Sequence, residues 1–341
     1  MVHPLQPGQH VSVKDGRVRV IETATGRVVK DLGESAKPED EEGAPSQPAS
    51  GVAPSLPDVG WIENAQWRNG GANPIAYFST SGLCLRRPRR TTIRSSFCLM
   101  ACSRIRRPTS YSRCCNGAFP RLGGGAYWSI SNWYADGQGG ASVVAPVVEV
   151  NSGTVLQGVM TCTGNSGSGY NYTCKFIGYP AVDLTLTDVE EMTWAYETLE
   201  CYGPYNPTTK TFNPLSQCSD YPSTPLTAMY AIEIKTGTPG MGGADADIAW
   251  FAMTSFKDCG QVCDIVNNAS PGGEVDLYCR SHPWFLPNNA VKMNPAPRSR
   301  RCGVRTTRTW ISSLRVTTGR CGPTGGKPRM AGNRGSWSIM R

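Results

Sequence analysis

Short apolar segments, each closed off by Gly, Pro, Asn or Ser, recur from Ile75 to Tyr278 without a helix-length period between them. That pattern leaves room for packed antiparallel sheets and little room for strand–helix alternation. The spacing predicts strands at Ile75–Ser79, Tyr127–Tyr134, Ser142–Val150, Thr154–Cys162, Tyr170–Ile177, Asp183–Leu186, Met229–Lys235, Ile248–Phe256, Gln261–Val266 and Gly272–Tyr278. Thr187–Tyr202 carries helix-favouring Glu190, Glu191, Ala195 and Glu200, yet Trp194–Tyr202 reads better as a strand. The expected fold is an all-β, antiparallel sandwich with a short N-terminal hairpin unit and disordered segments.

The chain divides into four pieces. Residues 1–32 hold three short strand patterns, separated by the Asp15-Gly16 and Thr23–Gly26 turn signals. They form a small β-hairpin unit or a pro-region, too short to bury a core alone. Residues 33–58 are acidic and rich in Pro, Ser and Ala, the composition of a flexible linker. Residues 59–279 form the sandwich domain, with about the length one core requires. Residues 280–341 form a basic, disordered tail.

Charge is concentrated in two places. Arg86 to Arg121 holds ten Arg and no acid, and Arg280 to Arg341 holds thirteen Lys/Arg and no acid. The rest of the chain has 11 basic residues against 26 acidic ones, so the formal +8 averages an acidic body with two basic pieces. Residues 82–120 also crowd Cys84, Cys98, Cys102, Cys114 and Cys115 between Arg pairs, with neither the 2.0- nor the 3.6-residue apolar period. A permitted reading of these codons, shifted by two bases, gives apolar strands around an Asn-Gly turn and contains ILQPVLQWG. Residues 82–120 and 280–341 therefore look frame-shifted. As written, the first segment lacks the aromatic interleaving of a single-strand nucleic-acid groove, and no specific nucleic acid is expected as partner.

Six body cysteines pair naturally by position: Cys162 with Cys174, Cys201 with Cys218, and Cys259 with Cys263. Closing loops of that size with disulfides contributes roughly 3 kcal/mol each. Asn171 and Asn268 head glycosylation triplets. Together these features point to an extracellular or secretory location, although Met1 is not followed by an apolar signal core. No 18-residue apolar run is present, so no membrane partner is expected. No phosphate-loop or dinucleotide fingerprint follows a strand, and no cofactor or metal is called for.

Histidine is confined to His3, His10 and His282, all outside the body. Triads, Cys–His dyads and His-ligated metals are thereby removed as body chemistry. Carboxylates, amides, Tyr and Lys are what remain, and an acid-rich body suits acidic surroundings.

The shifted-frame ILQPVLQWG and the strand Trp194-Ala195-Tyr196-Glu197-Thr198-Leu199-Glu200 resemble the glutamine and glutamate strands of the eqolisins, the acid-acting glutamic peptidases. The chain is also similar to uncharacterised secreted fungal and bacterial proteins of the same pattern. The eqolisin resemblance implies a concanavalin-like sandwich of the double jelly-roll type, with a glutamate as general base and a glutamine amide as oxyanion donor. It places the glutamate at Glu197, with Glu200 in reserve, and the two point to opposite faces of a strand. The glutamine has no counterpart, because its shifted codon straddles Tyr111 and Ser112. The chain as written is therefore expected to be inactive, with its fold compromised at the sheet centre.

Three rival readings accompany it. Trp128, Trp133 and Tyr134 suit either a core or the sugar platform of a lectin-like module. The Arg segments suit a polyanion-binding protein with a steep salt dependence. Asp183, Asp188, Glu190 and Glu191 supply acids for a glycosidase pair, with no spacing that singles one out. The substrate or ligand expected is a polypeptide or a glycan.

Overall fold

A computed structural model describes residues 2–35, 61–84, 127–136, 140–200, 226–254 and 259–279 in full. For residues 95–103, 110–116, 201–202, 205–206, 211–212, 309–311 and 314–316 it describes the backbone alone. The chain forms two units, Met1–Asn289 and Ala290–Arg341.

The strands of the first unit run in chain order as β1 (Val2–Pro4), β2 (Gln9–Lys14), β3 (Arg17–Glu22), β4 (Val28–Glu34), β5 (Trp61–Arg68), β6 (Ile75–Leu83), β7 (Ser95–Ser103) and β8 (Ser110–Asn116). Next come β9 (Trp128–Ala135), β10 (Ser142–Val144), β11 (Val148–Val150), β12 (Val155–Asn165), β13 (Tyr170–Phe176), a single 3-10 turn at Pro180–Val182, β14 (Leu184–Val189) and β15 (Trp194–Tyr202). The remainder are β16 (Tyr205–Asn206), β17 (Thr211–Phe212), β18 (Leu226–Thr236), β19 (Ala244–Asp245), β20 (Phe251–Thr254), β21 (Val262–Asn267) and β22 (Gly273–Tyr278).

Two large sheets result. The nine-stranded sheet runs β1-β10-β9-β8-β7-β15-β5-β20, with β11 also beside β9. The eleven-stranded sheet runs β21-β22-β18-β6-β12-β13-β14-β2-β3-β4, with β19 also beside β18. One core joins them: Ala65, Ile130, Ala195 and Leu199 from the first sheet meet Phe78, Met160, Leu186, Ile234 and Leu277 from the second. This is the expected all-β sandwich, antiparallel except where β1 joins β10 and β2 joins β14.

Period-two alternation builds these layers. In β18, Ile232 and Ile234 point inward at 0 % exposure, while Glu233 and Lys235 face out and pair at 2.7 Å. Ala231, at φ 50°, sits at the register shift that sets this alternation. The Asp15-Gly16 signal delivers the two-residue hairpin expected of it, with both residues at positive φ and Lys14 opposite Arg17.

Trp194–Tyr202 is a strand throughout, as preferred over a helix. Ser142–Val150 divides into β10 and β11, because Pro146 lacks the N–H that a ladder needs. The N-terminal residues do not stand apart: Val11, Val18 and Val20 enter the common core, and Leu5 donates to Val144 O at 2.8 Å. Buried Asp136 adds a tie, accepting from Ser35 Oγ at 2.7 Å and Tyr134 Oη at 2.9 Å. The strand β4 takes the first two residues of the expected linker, and residues 36–58 lie outside the described residues.

The Arg/Cys segment supplies β7 and β8, which fill the slot between β15 and β9. Ser95–Ser103 contains no Arg, and ladder hydrogen bonds from both neighbours need only its backbone. The two strands lie where the shifted reading has its apolar runs. The arginines from Arg86 to Arg94 and from Arg104 to Arg107 lie outside the described residues. Most of the tail does too, apart from the ladder of β23 (Thr309–Ile311) with β24 (Leu314–Val316).

Candidate active site

Strand β15 positions both glutamates. It pairs with β7 without a register break, so its side chains alternate strictly. Ala195, Glu197 and Leu199 share one face, and Trp194, Tyr196, Thr198 and Glu200 share the other. A register shift opposite Leu199/Glu200 is taken up within β5.

Glu197 faces the opposed sheet. Its row across the first sheet reads Ala65, Glu197, Met100, Ser112, Asn132. Asn132, at the end of that row, sends its Nδ2 to Val182 O at 2.7 Å and to Cys174 O at 3.1 Å, both on the second sheet's side. Glu197 is 0 % exposed, and neither of its carboxyl oxygens closes a well-formed hydrogen bond. Burial pushes its carboxyl well above the usual range, and the nearby Thr80 hydroxyl offsets this only in part.

A second buried carboxyl belongs to the same face. Glu63 lies opposite Leu199, which makes it the diagonal neighbour of Glu197, a spacing of about 7–8 Å in such sheets. Glu63 is 0 % exposed, and burial pushes it well above its usual range against a small opposing effect of the Val262 N–H. The sequence reading passed over Glu63, because strand β5 reads Trp-Ile-Glu-Asn-Ala-Gln-Trp-Arg and shows no apolar alternation.

The other face is aromatic. Tyr196 stacks on Trp194 at 6.1 Å between centroids and meets Trp61 edge-on at 5.2 Å, while Arg68 lies over the Trp194 ring at 5.7 Å. Asn64 sits opposite Thr198, and neither amide atom of Asn64 is hydrogen-bonded. Glu200 lies opposite Trp61 and is also buried. Row by row, Trp133 belongs to this face, whereas Trp128 and Tyr134 belong to the core between the sheets.

The remaining predicted residues go elsewhere. Asp183 faces Lys175 at 3.5 Å. Asp188 accepts hydroxyls from Ser12, Ser166 and Ser168, and Glu191 accepts from Tyr170 at 3.3 Å. His3 meets Lys30 and His10 meets Thr23, each at 3.0 Å, while His282 lies outside the described residues. Asn171 Oδ1 accepts from Asp188 N, and exposed Asn268 accepts from Trp250 N, both at 3.1 Å.

Two of the three expected cysteine pairs do not form. Cys162 lies opposite Tyr172 and Cys174 lies opposite Met160, and Cys162 is a thiol. That places them diagonally, about 7–8 Å apart, beyond the roughly 3.8 Å between Cβ atoms that a disulfide spans. Cys263 is a thiol, so Cys259, which is disulfide-bonded, does not pair with it. Cys218 and the side chain of Cys201 lie outside the described residues.

No protein-family model matches this chain, and no curated protein does. The chain is distantly similar to glutamic peptidases. Scytalido-glutamic peptidase with a transition state analog inhibitor aligns at TM-score 0.41 and 10% identity, over 65% of this chain and 98% of that one. The same enzyme with a peptide-based transition state analog aligns at 0.37 and 10%, over 64% and 98%. SCP-B, a member of the eqolisin family in complex with the tripeptide Ala-Ile-His, aligns at 0.34 and 9%, over 65% and 98%. At these scores the similarity adds nothing to the reading of individual residues.

Proposed function

We propose that this chain carries the sandwich of a secreted, acid-acting glutamic peptidase but, as written, does not cleave peptides. The observation that carries this reading is the row of Glu197. A glutamate base needs a water and an amide donor beside it. The described amide in that row is Asn132, and its Nδ2 is committed to two carbonyls of the opposite layer. In the shifted reading the glutamine codon falls across Tyr111 and Ser112, neither of which supplies an amide side chain. Glu197 is also sealed, and burial keeps its carboxyl protonated at acid pH, when a base must be ionised.

Incubating the purified chain with denatured protein between pH 2 and 6 tests this reading. No cleavage is expected. Cleavage abolished by Glu197→Gln or Glu200→Gln overturns it. Sequencing the transcript across the codons for Phe78 to Gly124 separates a strand encoded as written from a misread one. A shifted-frame transcript returns the glutamine, and the corrected chain is then expected to cleave.

The second reading is a glycan-binding module, for which Trp128, Trp133 and Tyr134 are the expected platform; all three are buried, as are the stacked Trp194 and Tyr196, so a glycan would have to engage another surface. Retention on immobilised glycans without proteolysis favours it. Salt-sensitive retention on nucleic acid favours the polyanion reading instead.

A further inference from the structure

Among its described residues, the seam between the two sheets holds buried acid without buried base. Among the described residues, the buried charged side chains are Glu63, Asp136, Glu197, Glu200 and Asp276, and no Lys, Arg or His is buried with them. Glu63 and Glu197 are the pair that face the opposed sheet from neighbouring strands, and all four of their carboxyl oxygens lack a well-formed hydrogen bond. The Thr80 hydroxyl, turned toward Glu197 from β6, is likewise without one.

We propose that Glu63 and Glu197 form an acid-set seam: the sandwich closes tightly with both carboxyls protonated and loosens as rising pH ionises them. This inference is independent of peptidase activity.

The groups facing the pair favour the neutral form. Toward Glu197 stand Thr80 from β6 and, in its own row, Asn132, neither of which titrates. Toward Glu63 stand the Val262 N–H and the Cys263 thiol of β21. Burial raises that thiol first, then Glu63 itself, and Asp264 and Asp276 raise it further, so the other charged groups acting on it are acids. An ionised glutamate here would lose its hydration with no cation in exchange among the described residues.

The sign follows from linkage. A carboxyl whose folded pKa lies above its unfolded value contributes stability that is complete below about pH 4.3 and is lost as pH rises toward the folded value. Within that window each carboxyl raises the unfolding equilibrium constant about tenfold per pH unit. His3 and His10 act in the opposite direction near pH 6, because burial, the first cause for each, lowers both.

Urea unfolding of the full chain and of its Glu63→Gln, Glu197→Gln and doubly substituted forms, from pH 3 to 8, reads the effect. Both histidines remain in every form, so differences between forms isolate the carboxyls. Each substitution is expected to remove about a tenfold dependence per pH unit, and the double form about a hundredfold. Parallel profiles for the original and substituted chains overturn the proposal. Infrared spectroscopy of the unsubstituted, folded chain at pH 6 supplies a readout that needs no variant to fold. Protonated-carboxyl absorption is expected, and its absence overturns the proposal.

Discussion

Asn132 and Glu197 occupy one row of one sheet and face the same core, yet their solvation differs. Asn132 reaches across the seam and gives both amide hydrogens to carbonyls. Glu197, three strands further along, has no comparable partner for either oxygen. A buried amide with its bonds made ties two layers together at small net cost. A buried carboxyl without them is tolerated chiefly in its neutral form. The sandwich thus contains one polar contact that is insensitive to pH and another that depends on it.

Removing the satisfied partner is the largest test of that contrast. Asn132→Leu removes both amide hydrogen bonds to the opposite layer, at Cys174 O and Val182 O, and is expected to cost about 3 kcal/mol in urea unfolding at any pH. Glu197→Leu is expected to do the reverse at pH 7, adding about 2 kcal/mol by removing a carboxyl that must stay neutral, and to add little at pH 4. If the two substitutions destabilise equally at both pH values, the contrast fails.

A third carboxyl sharpens the comparison by shifting in the other direction. Burial works against ionised Asp188, but hydroxyls from Ser166, Ser168 and Ser12, with the charge of Lys14, outweigh it and lower its pKa. Its contribution is present above about pH 3.9 and is lost as pH falls through the lowered value. Asp188→Asn is expected to cost about 1 kcal/mol at pH 7, modest because the group is largely solvated, and less at pH 2. The smallest effect belongs to the exposed Arg17–Asp31 pair at 2.9 Å. Arg17→Ala is expected to leave the unfolding midpoint unchanged within error in 0.5 M salt, where exposed pairs are screened.

Much of this architecture was readable in the chain. Most strand positions from Ile75 to Tyr278 other than β7 and β8, the Asp15-Gly16 hairpin and the strand at Trp194–Tyr202 follow from local alternation and turn chemistry. So does the opposition of Glu197 and Glu200 across β15, since three residues along a strand reverse the face. Strand β5 escaped because its buried residues include Glu63, Asn64 and Gln66, which read as solvent-facing. The Cys162–Cys174 pair failed because sequence separation gives loop size and not cross-strand register: Cys162 meets Tyr172 and not Cys174.

The sequence by itself determined that this protein is built of strands, where most of them run, and which glutamates a strand would set on opposite faces. These are properties of consecutive residues, carried by period two and by turns. The tertiary structure decided which face of β15 meets the other sheet, that Glu63 stands diagonal to Glu197, and that the N-terminal strands complete both sheets. Those facts arise from pairing between distant segments. A carboxyl's protonation then follows from its surroundings, because solvation is set by what packs against it in space.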